Sequence, residues 1–387
     1  MSKRVILFGP MPPPYGGVSV LLSTLWGHVK SAPVLVWAYF GQESNDPRIT
    51  RFNHRRFGVI KALVKQGYRS RIVDFTHFHL EYPHPILLPI WLVAKRLLGF
   101  EWVKHICDGS LPERYPGFTP AQKRRFKKAI AAIDEFILVN ETLRDWLTSE
   151  VTITRKMTVI PSLLNIPPEA QEMNLDAGTE RILENFLKRE KRICSIGTFI
   201  PAYGFEHVAI TVERLRTETQ EDIGVLLLDG TFATDPSYRE RVLAGRDWIT
   251  VLTNIPNPEI YQILSRSDLF VRAFGAESYG ISRVEAIWSG VPVIAVNVGE
   301  TRGMLTYTFG DVEMLSRLIR EVLSGERKVE LEPWADLFRA EADANLNNFI
   351  ETARIDCPTI DTTNRTMSQM RSVTSHNAGW VDLENLD

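Results

Sequence analysis

Asp268-Leu269-Phe270-Val271-Arg272, then Ala273 to Ser278, then Tyr279-Gly280-Ile281-Ser282-Arg283-Val284-Glu285-Ala286-Ile287-Trp288-Ser289 is the stretch on which the fold turns. Its first five residues read as a short buried strand, residues 274–278 as a loop with Glu277 near its end, and residues 279–289 as a helix. Positions four apart on a helix share a face, so Ile281 and Glu285 point the same way. Glu277 falls at the mouth of the helix, beside backbone N–H groups that have no partner within it. Two carboxylates therefore flank a site suited to an anion. A nucleotide-sugar fits this pattern: its diphosphate can sit on the N–H groups of Ser278, Tyr279, Gly280 and Ile281, where the helix dipole favours negative charge, while the carboxylates accept hydrogen bonds from sugar hydroxyls. Two glutamates at this spacing also arise by chance in ordinary helices, so the surrounding sequence has to decide.

A chain of 387 residues with 44% hydrophobic content can bury two ordinary cores, which makes two domains the default expectation. It has no uninterrupted apolar run of about 18 residues, and Met1-Ser2-Lys3-Arg4 leads into a short strand-like segment unlike a signal-peptide core. A cytoplasmic protein is expected, peripheral at most at the inner face of a membrane. Three widely separated cysteines, Cys107, Cys194 and Cys357, suit neither a disulfide framework nor a zinc site.

The overall charge of −2 hides an asymmetry: residues 1–165 carry 23 Lys and Arg against 12 Asp and Glu, so the front is basic and the remainder acidic. Clusters stand at Arg48, Arg51, Arg55 and Arg56 and at Lys123, Arg124, Arg125, Lys127 and Lys128. Such a face attracts anionic lipid or nucleic acid, and it can equally be a solvated helix face. Of these partners, an anionic membrane surface is retained and nucleic acid is not.

Strand-like runs recur at 4–8, 34–39, 72–76, 102–106 and 136–139, and again at 192–196, 224–228, 248–252, 268–272 and 291–296, with helical or polar stretches between them. The alternation predicts two doubly wound α/β domains, with Asn165-Ile166-Pro167-Pro168 as the linker. The expected organisation is an acceptor-side Rossmann-like domain over 1–165, a nucleotide-sugar-binding Rossmann-like domain over 166–330, a helical segment over 331–355 and a disordered tail over 356–387. Residues 86–100 are apolar apart from Lys95 and Arg96. They read first as a packed helix and second as a membrane-surface helix. His77, His79 and His84 lack partners at a metal-ligand spacing and read as structural.

The first strand runs into Gly9-Pro10-Met11-Pro12-Pro13-Pro14-Tyr15-Gly16-Gly17 ahead of an apolar helix, a loop in which paired glycines allow close approach to a phosphate. This loop, Val159-Ile160-Pro161, Ser195-Ile196-Gly197 and above all Glu277 to Glu285 followed by Gly290-Val291-Pro292-Val293-Ile294-Ala295 resemble the retaining glycosyltransferases of family 4. The resemblance covers about residues 4–353. It implies the GT-B fold, two Rossmann-like domains facing a central cleft, and a metal-independent transfer without a cofactor. No Asp-x-Asp clamp is present in the sequence.

By the resemblance, Glu277 contacts the donor sugar, Glu285 the ribose hydroxyls, and Gly16 and Gly17 border the diphosphate. Where the family carries Arg and Lys on the loop after the first strand of the second domain, this chain has Thr198, after Gly197, and Tyr203. Where the family has a histidine at the end of a first-domain strand, it has Cys107, with His105 on the same strand face as the candidate substitute. Arg272, closing its strand, is the expected replacement phosphate ligand, and Arg283 is expected to face away from the cleft. The implied acceptor is a glycan, or a lipid-linked or surface-polysaccharide precursor. Two rival readings remain: a non-catalytic protein of this fold that binds a sugar nucleotide or glycan in an assembly, and a nucleotide-sugar epimerase.

Overall fold

The computed structural model describes residues 3–13, 15–39, 44–52, 56–77, 80, 83–163, 175–230 and 234–356. The expected linker at 165–168, Arg55, His79, Cys357 and the tail beyond it lie outside these residues.

Seven strands form one parallel sheet: β1 Val5–Gly9, β2 Val34–Ala38, β3 Ile49–Arg51, β4 Arg71–Asp74, β5 Glu101–Ile106, β6 Glu135–Leu138 and β7 Lys156–Val159, in the order β3-β2-β1-β4-β5-β6-β7. Six form a second: β8 Lys191–Gly197, β9 Ile223–Asp229, β10 Ile249–Thr253, β11 Leu269–Arg272, β12 Val293–Val296 and β13 Leu305–Tyr307, in the order β10-β9-β8-β11-β12-β13. The first sheet carries α1 Gly17–Val29, α2 Arg56–Gln66, α3 Leu87–Leu98, α4 Leu111–Arg114, α5 Pro120–Ala132 and α6 Glu141–Ser149. The second carries α7 Ala177–Leu187, α8 Phe205–Thr219, α9 Pro236–Leu243, α10 Asn257–Leu264, α11 Ile281–Trp288 and α12 Val312–Leu323, and α13 Glu332–Ala353 ends the described chain. Two Rossmann-like domains of the GT-B kind result.

Alternation along each strand feeds two cores. Ile6, Phe8, Ile72, Trp102 and Phe136 pack on one side of the first sheet with Leu63 of α2, Trp91 of α3 and Phe126 of α5. Val5, Leu7, Val73, Val103 and Ile137 pack on the other with Leu22 and Leu25 of α1. Burial on both faces is why these strands read as apolar runs. β3, β7 and β13 were not expected from the sequence. All three are sheet edges of three or four residues, mostly half-buried or exposed, so they carry no apolar run to read.

The last helix belongs to both domains. Near its start, Trp288 of α11 donates its indole N–H to the Ala335 carbonyl at 3.0 Å. Midway, Asn345 donates to the Ser162 carbonyl at 3.2 Å. Toward its end, Phe349 stacks on Phe75 with ring centroids 5.8 Å apart. Its last two carbonyls, Thr352 and Ala353, accept from the Arg71 guanidinium at 2.7 and 3.1 Å, where the negative end of the helix dipole welcomes a cation. The same guanidinium pairs with Glu101 at 2.7 Å and Glu135 at 2.6 Å.

Arg71 is 2% exposed. Replacing it by alanine leaves the buried Glu135 carboxylate without its guanidinium partner and uncaps α13. Arg71→Ala should therefore cost about 3–5 kcal/mol of stability in urea denaturation; a loss below about 1 kcal/mol would show that the cluster does not hold the helix.

Candidate functional site

In open α/β sheets, ligands bind beyond the carboxyl ends of the strands. Here those ends of the two sheets face one another across a cleft of about 410 Å³, and the fourteen residues expected from the sequence to contact donor or acceptor line it. The walls come close at Gly109, whose N–H donates to Ser278 Oγ at 2.8 Å, and at Gly230, where a Cβ would lie 3.0 Å from the Tyr15 carbonyl.

On the second-domain wall, β11 ends at Arg272 and the chain loops to Gly280, whose φ of 96° is open to glycine and strained for other residues. That turn delays the helix to Ile281, two residues later than the sequence suggests. Among the described residues, no acceptor takes the N–H groups of Ser278, Tyr279, Gly280 or Ile281, and all four residues line the cleft. Glu277 does not stand free beside them. Its Oε2 accepts from Arg272 Nε at 2.7 Å, and Arg272 Nη1 donates to the Ile196 carbonyl at the end of β8. The Tyr203 and Phe274 rings stack with centroids 4.3 Å apart, each centroid 5.1 Å from the guanidinium carbon. Burial opposes the Arg272 charge, but Glu277 and Tyr203 more than offset it and hold its pKa above the usual value. Gly197 underlies this cluster: a Cβ there would come within 2.5 Å of the Tyr203 ring. Thr198, next to it, is buried.

Glu285, one turn into α11, is 3% exposed. Burial pushes its carboxyl up to about 7, opposed by a 2.7 Å hydrogen bond from Asn257 Nδ2 at the start of α10. Asn257 was not anticipated. Nothing in the linear sequence relates position 257 to position 285; the packing of α10 on α11 joins them.

On the first-domain wall, α1 begins at Gly17, and Ser19 Oγ closes its entry by accepting from Gly16 N–H at 2.9 Å. Gly16 and Gly17 face open space, with no atom within 4 Å of a Cβ added to either. His105 and Cys107 sit together as their shared strand face requires, with Nδ1 2.7 Å from Sγ. The imidazole is 2% exposed and packs on Phe75 and on Phe349 of α13, so it forms the floor of the cleft rather than projecting into it. His84 caps α3 by accepting from Ile86 and Leu87 N–H at 3.2 and 3.1 Å. Among the described residues, no three His, Cys, Asp or Glu side chains are placed to share a metal ion, and no helix is long and apolar enough to cross a membrane.

Arg283 does not line the cleft, in keeping with its helical position. Facing away takes it inward, however, because α11 is buried from Arg283 to Trp288. Its Nη1 donates to the Val298 and Glu300 carbonyls, and burial pulls its pKa down to about 10.

Residues 179–332 match the family Glycosyl transferases group 1. The match falls on the second domain. A curated relative, the alpha-monoglucosyldiacylglycerol synthase of Streptococcus pneumoniae, is 23% identical in an alignment of 258 positions that covers 63% of this chain and 56% of the relative. The chain thus spans about half the length of the curated relative it matches. Two solved structures share the fold. Sucrose-phosphate synthase from Thermosynechococcus elongatus superposes with a TM-score of 0.64 at 15% identity, over 96% of this chain and all of that one. Anabaena HepE in complex with UDP-glucose superposes with a TM-score of 0.63 at 16% identity, again over 96% of this chain and all of that one.

The Glu285 carboxyl sets a pH dependence. Its folded pKa, about 7, lies above the ordinary 4.5, so between these values the folded protein holds a proton that the unfolded chain has lost. Stability should fall as pH rises through that window, by up to roughly 3 kcal/mol. Glu285→Gln should flatten the slope in denaturation curves taken at pH 5, 6, 7 and 8; an unchanged slope would assign it to another group.

Proposed function

We propose that the chain is a glycosyltransferase that moves a sugar from a nucleoside-diphosphate sugar to a glycan or lipid-linked acceptor. The observation that carries this reading is the cleft wall of open N–H groups at Ser278 to Ile281, flanked by Glu285 on one side and the Arg272–Glu277 pair on the other. The diphosphate would lie on those groups, faced across the cleft by the start of α1 at Gly16 and Gly17. Glu285 would accept from ribose hydroxyls, and Glu277, steadied by Arg272, from the transferred sugar. Fixed dipoles aimed at the departing diphosphate stabilise the charge that develops as the glycosidic bond breaks.

The UDP-glucose bound to HepE supports a uridine nucleotide as the first donor to try, and the diacylglycerol glycolipid in the name of the Streptococcus pneumoniae relative supports a lipid acceptor. Retention of configuration, metal independence and membership of family 4 follow from the sequence resemblance. A surface-polysaccharide precursor is the alternative acceptor, with Cys107 on the first-domain side of the cleft and His105 packed in the floor beside it.

A second reading, a non-catalytic binder of sugar nucleotides, is favoured by one observation: Arg272 is already engaged by Glu277 and by the Ile196 carbonyl, while Thr198 and Tyr203 bring no charge. Incubation with a panel of nucleoside-diphosphate sugars, with and without acceptor lipid, separates the two. Transfer requires nucleoside diphosphate release that depends on acceptor, whereas the binder shows affinity without release.

Two further outcomes are expected. Arg272→Ala should weaken binding of the nucleoside diphosphate by about 1.5–3 kcal/mol in calorimetric titration, the scale of a charged hydrogen bond; undiminished affinity would place the diphosphate elsewhere. Turnover should persist in excess chelator, and a loss restored by Mg²⁺ would count against metal independence.

A further inference from the structure

On the side of the first sheet away from α1, α2, α3 and α5 lie side by side. Together they hold ten lysines and arginines and no aspartate or glutamate. The outer stripe of α3 is apolar: Ile86, Val93 and Leu97, separated by seven and four residues, lie within about 20° of one line along the helix and are 52%, 58% and 75% exposed. Beside them, Val64 of α2 and Tyr68 just after it are 70% and 64% exposed. These five are the most exposed large hydrophobic side chains among the described residues.

A soluble helix ordinarily buries its apolar stripe and shows a polar one. α3 buries Leu88 and Trp91 and still presents a second apolar stripe outward. Cations border it. Lys95 is held by Asp134 at 2.6 Å, but among the described residues Arg96, Arg124, Lys127 and Lys128 have no carboxylate partner. Between α3 and α5 lies a shallow groove with Leu92, Ala131 and Ala132 along its apolar part and Arg96 and Lys128 at its sides. Water leaves such apolar groups exposed at a cost, and unpaired cations of one sign attract a surface of the other.

We infer that the outer face of α2, α3 and α5 is a docking surface for an anionic lipid bilayer. The apolar stripe of α3 enters the boundary between head groups and acyl chains, and the bordering lysines and arginines meet lipid phosphates. A polyanion such as nucleic acid would use the cations but leave the apolar stripe in water, whereas a bilayer with anionic head groups satisfies both. The inference concerns the first domain alone and does not rest on the proposed transfer reaction.

The test uses the full chain and sedimentation with vesicles, either of phosphatidylcholine alone or of phosphatidylcholine with one quarter phosphatidylglycerol. Binding is expected with the second and little with the first, weakening as salt rises. Arg96→Glu with Lys128→Glu should lower partitioning at least about tenfold, and Val93→Asp with Leu97→Asp should do so at low salt as well. All four side chains lie at the surface or border the open groove, so the folds should survive, checked by unchanged near-ultraviolet circular dichroism. Arg317→Glu with Arg339→Glu, on the exposed surface of the second domain and of α13, controls for net charge and should bind as the parent does. Binding indifferent to phosphatidylglycerol, or unaltered in both face variants, overturns the inference. So does conversion of a dimer to a monomer by Val93→Asp with Leu97→Asp while vesicle binding is retained, which would make a second copy of the chain the occupant.

Discussion

One guanidinium holds the two halves of this molecule in register. Arg71 binds the last carbonyls of α13 and two carboxylates at the base of the first sheet, while the other end of that helix is fixed to α11 through Trp288. α13 is therefore a strut pinned in both domains. A charge this deeply buried is tolerable because each of its three nitrogens meets a carboxylate or a helix-end carbonyl, so the desolvation cost is met by several strong contacts in fixed geometry. Phe349 on the same strut forms part of the packing behind His105, so the helix also supports the floor of the cleft.

The second-domain wall is built from groups that constrain one another. Glu277 compensates Arg272, and the Arg272 guanidinium ties the loop back to the end of β8 through the Ile196 carbonyl. Gly280 supplies the left-handed turn that starts α11 with its N–H groups open. Gly299 supplies another, at φ 71°, and sits so close that a Cβ would come within 3.1 Å of the Glu277 carbonyl. Arg283 joins the 298–300 segment to α11 from behind. In this wall Glu285 is the strongly perturbed carboxyl, pushed up to about 7 by burial against the opposing hydrogen bond from Asn257.

Electrostatic character divides between the domains. The acidic second domain spends its charges mostly in surface pairs such as Arg302 with Glu300 and Glu341 and Arg266 with Glu180, which contribute little individually. The basic excess of the first domain is concentrated on three helices that have no acidic residue of their own. That concentration, with the apolar stripe of α3 beside it, is a surface property distinct from the chemistry of the cleft.

The sequence by itself determined the parallel α/β architecture, because strands buried on both faces are apolar runs wherever they occur, and it picked out the Glu277–Glu285 segment, because a strand, a loop and a helix follow one another there without interruption. It also located the glycine loop at Gly16 and Gly17. What lay beyond it were features set by contacts between distant positions. The edge strands β3, β7 and β13 are held by backbone pairing to a neighbour and need no apolar pattern. Asn257 meets Glu285, and Arg71 meets Thr352, only because helices far apart in the chain pack together. The capture of Arg272 by Glu277 and the burial of Arg283 depend on where a loop folds back, and the outward apolar stripe of α3 shows itself only once its other face is seen to be filled. Periodicity reports which residues share a face of one element; tertiary packing decides what that face meets.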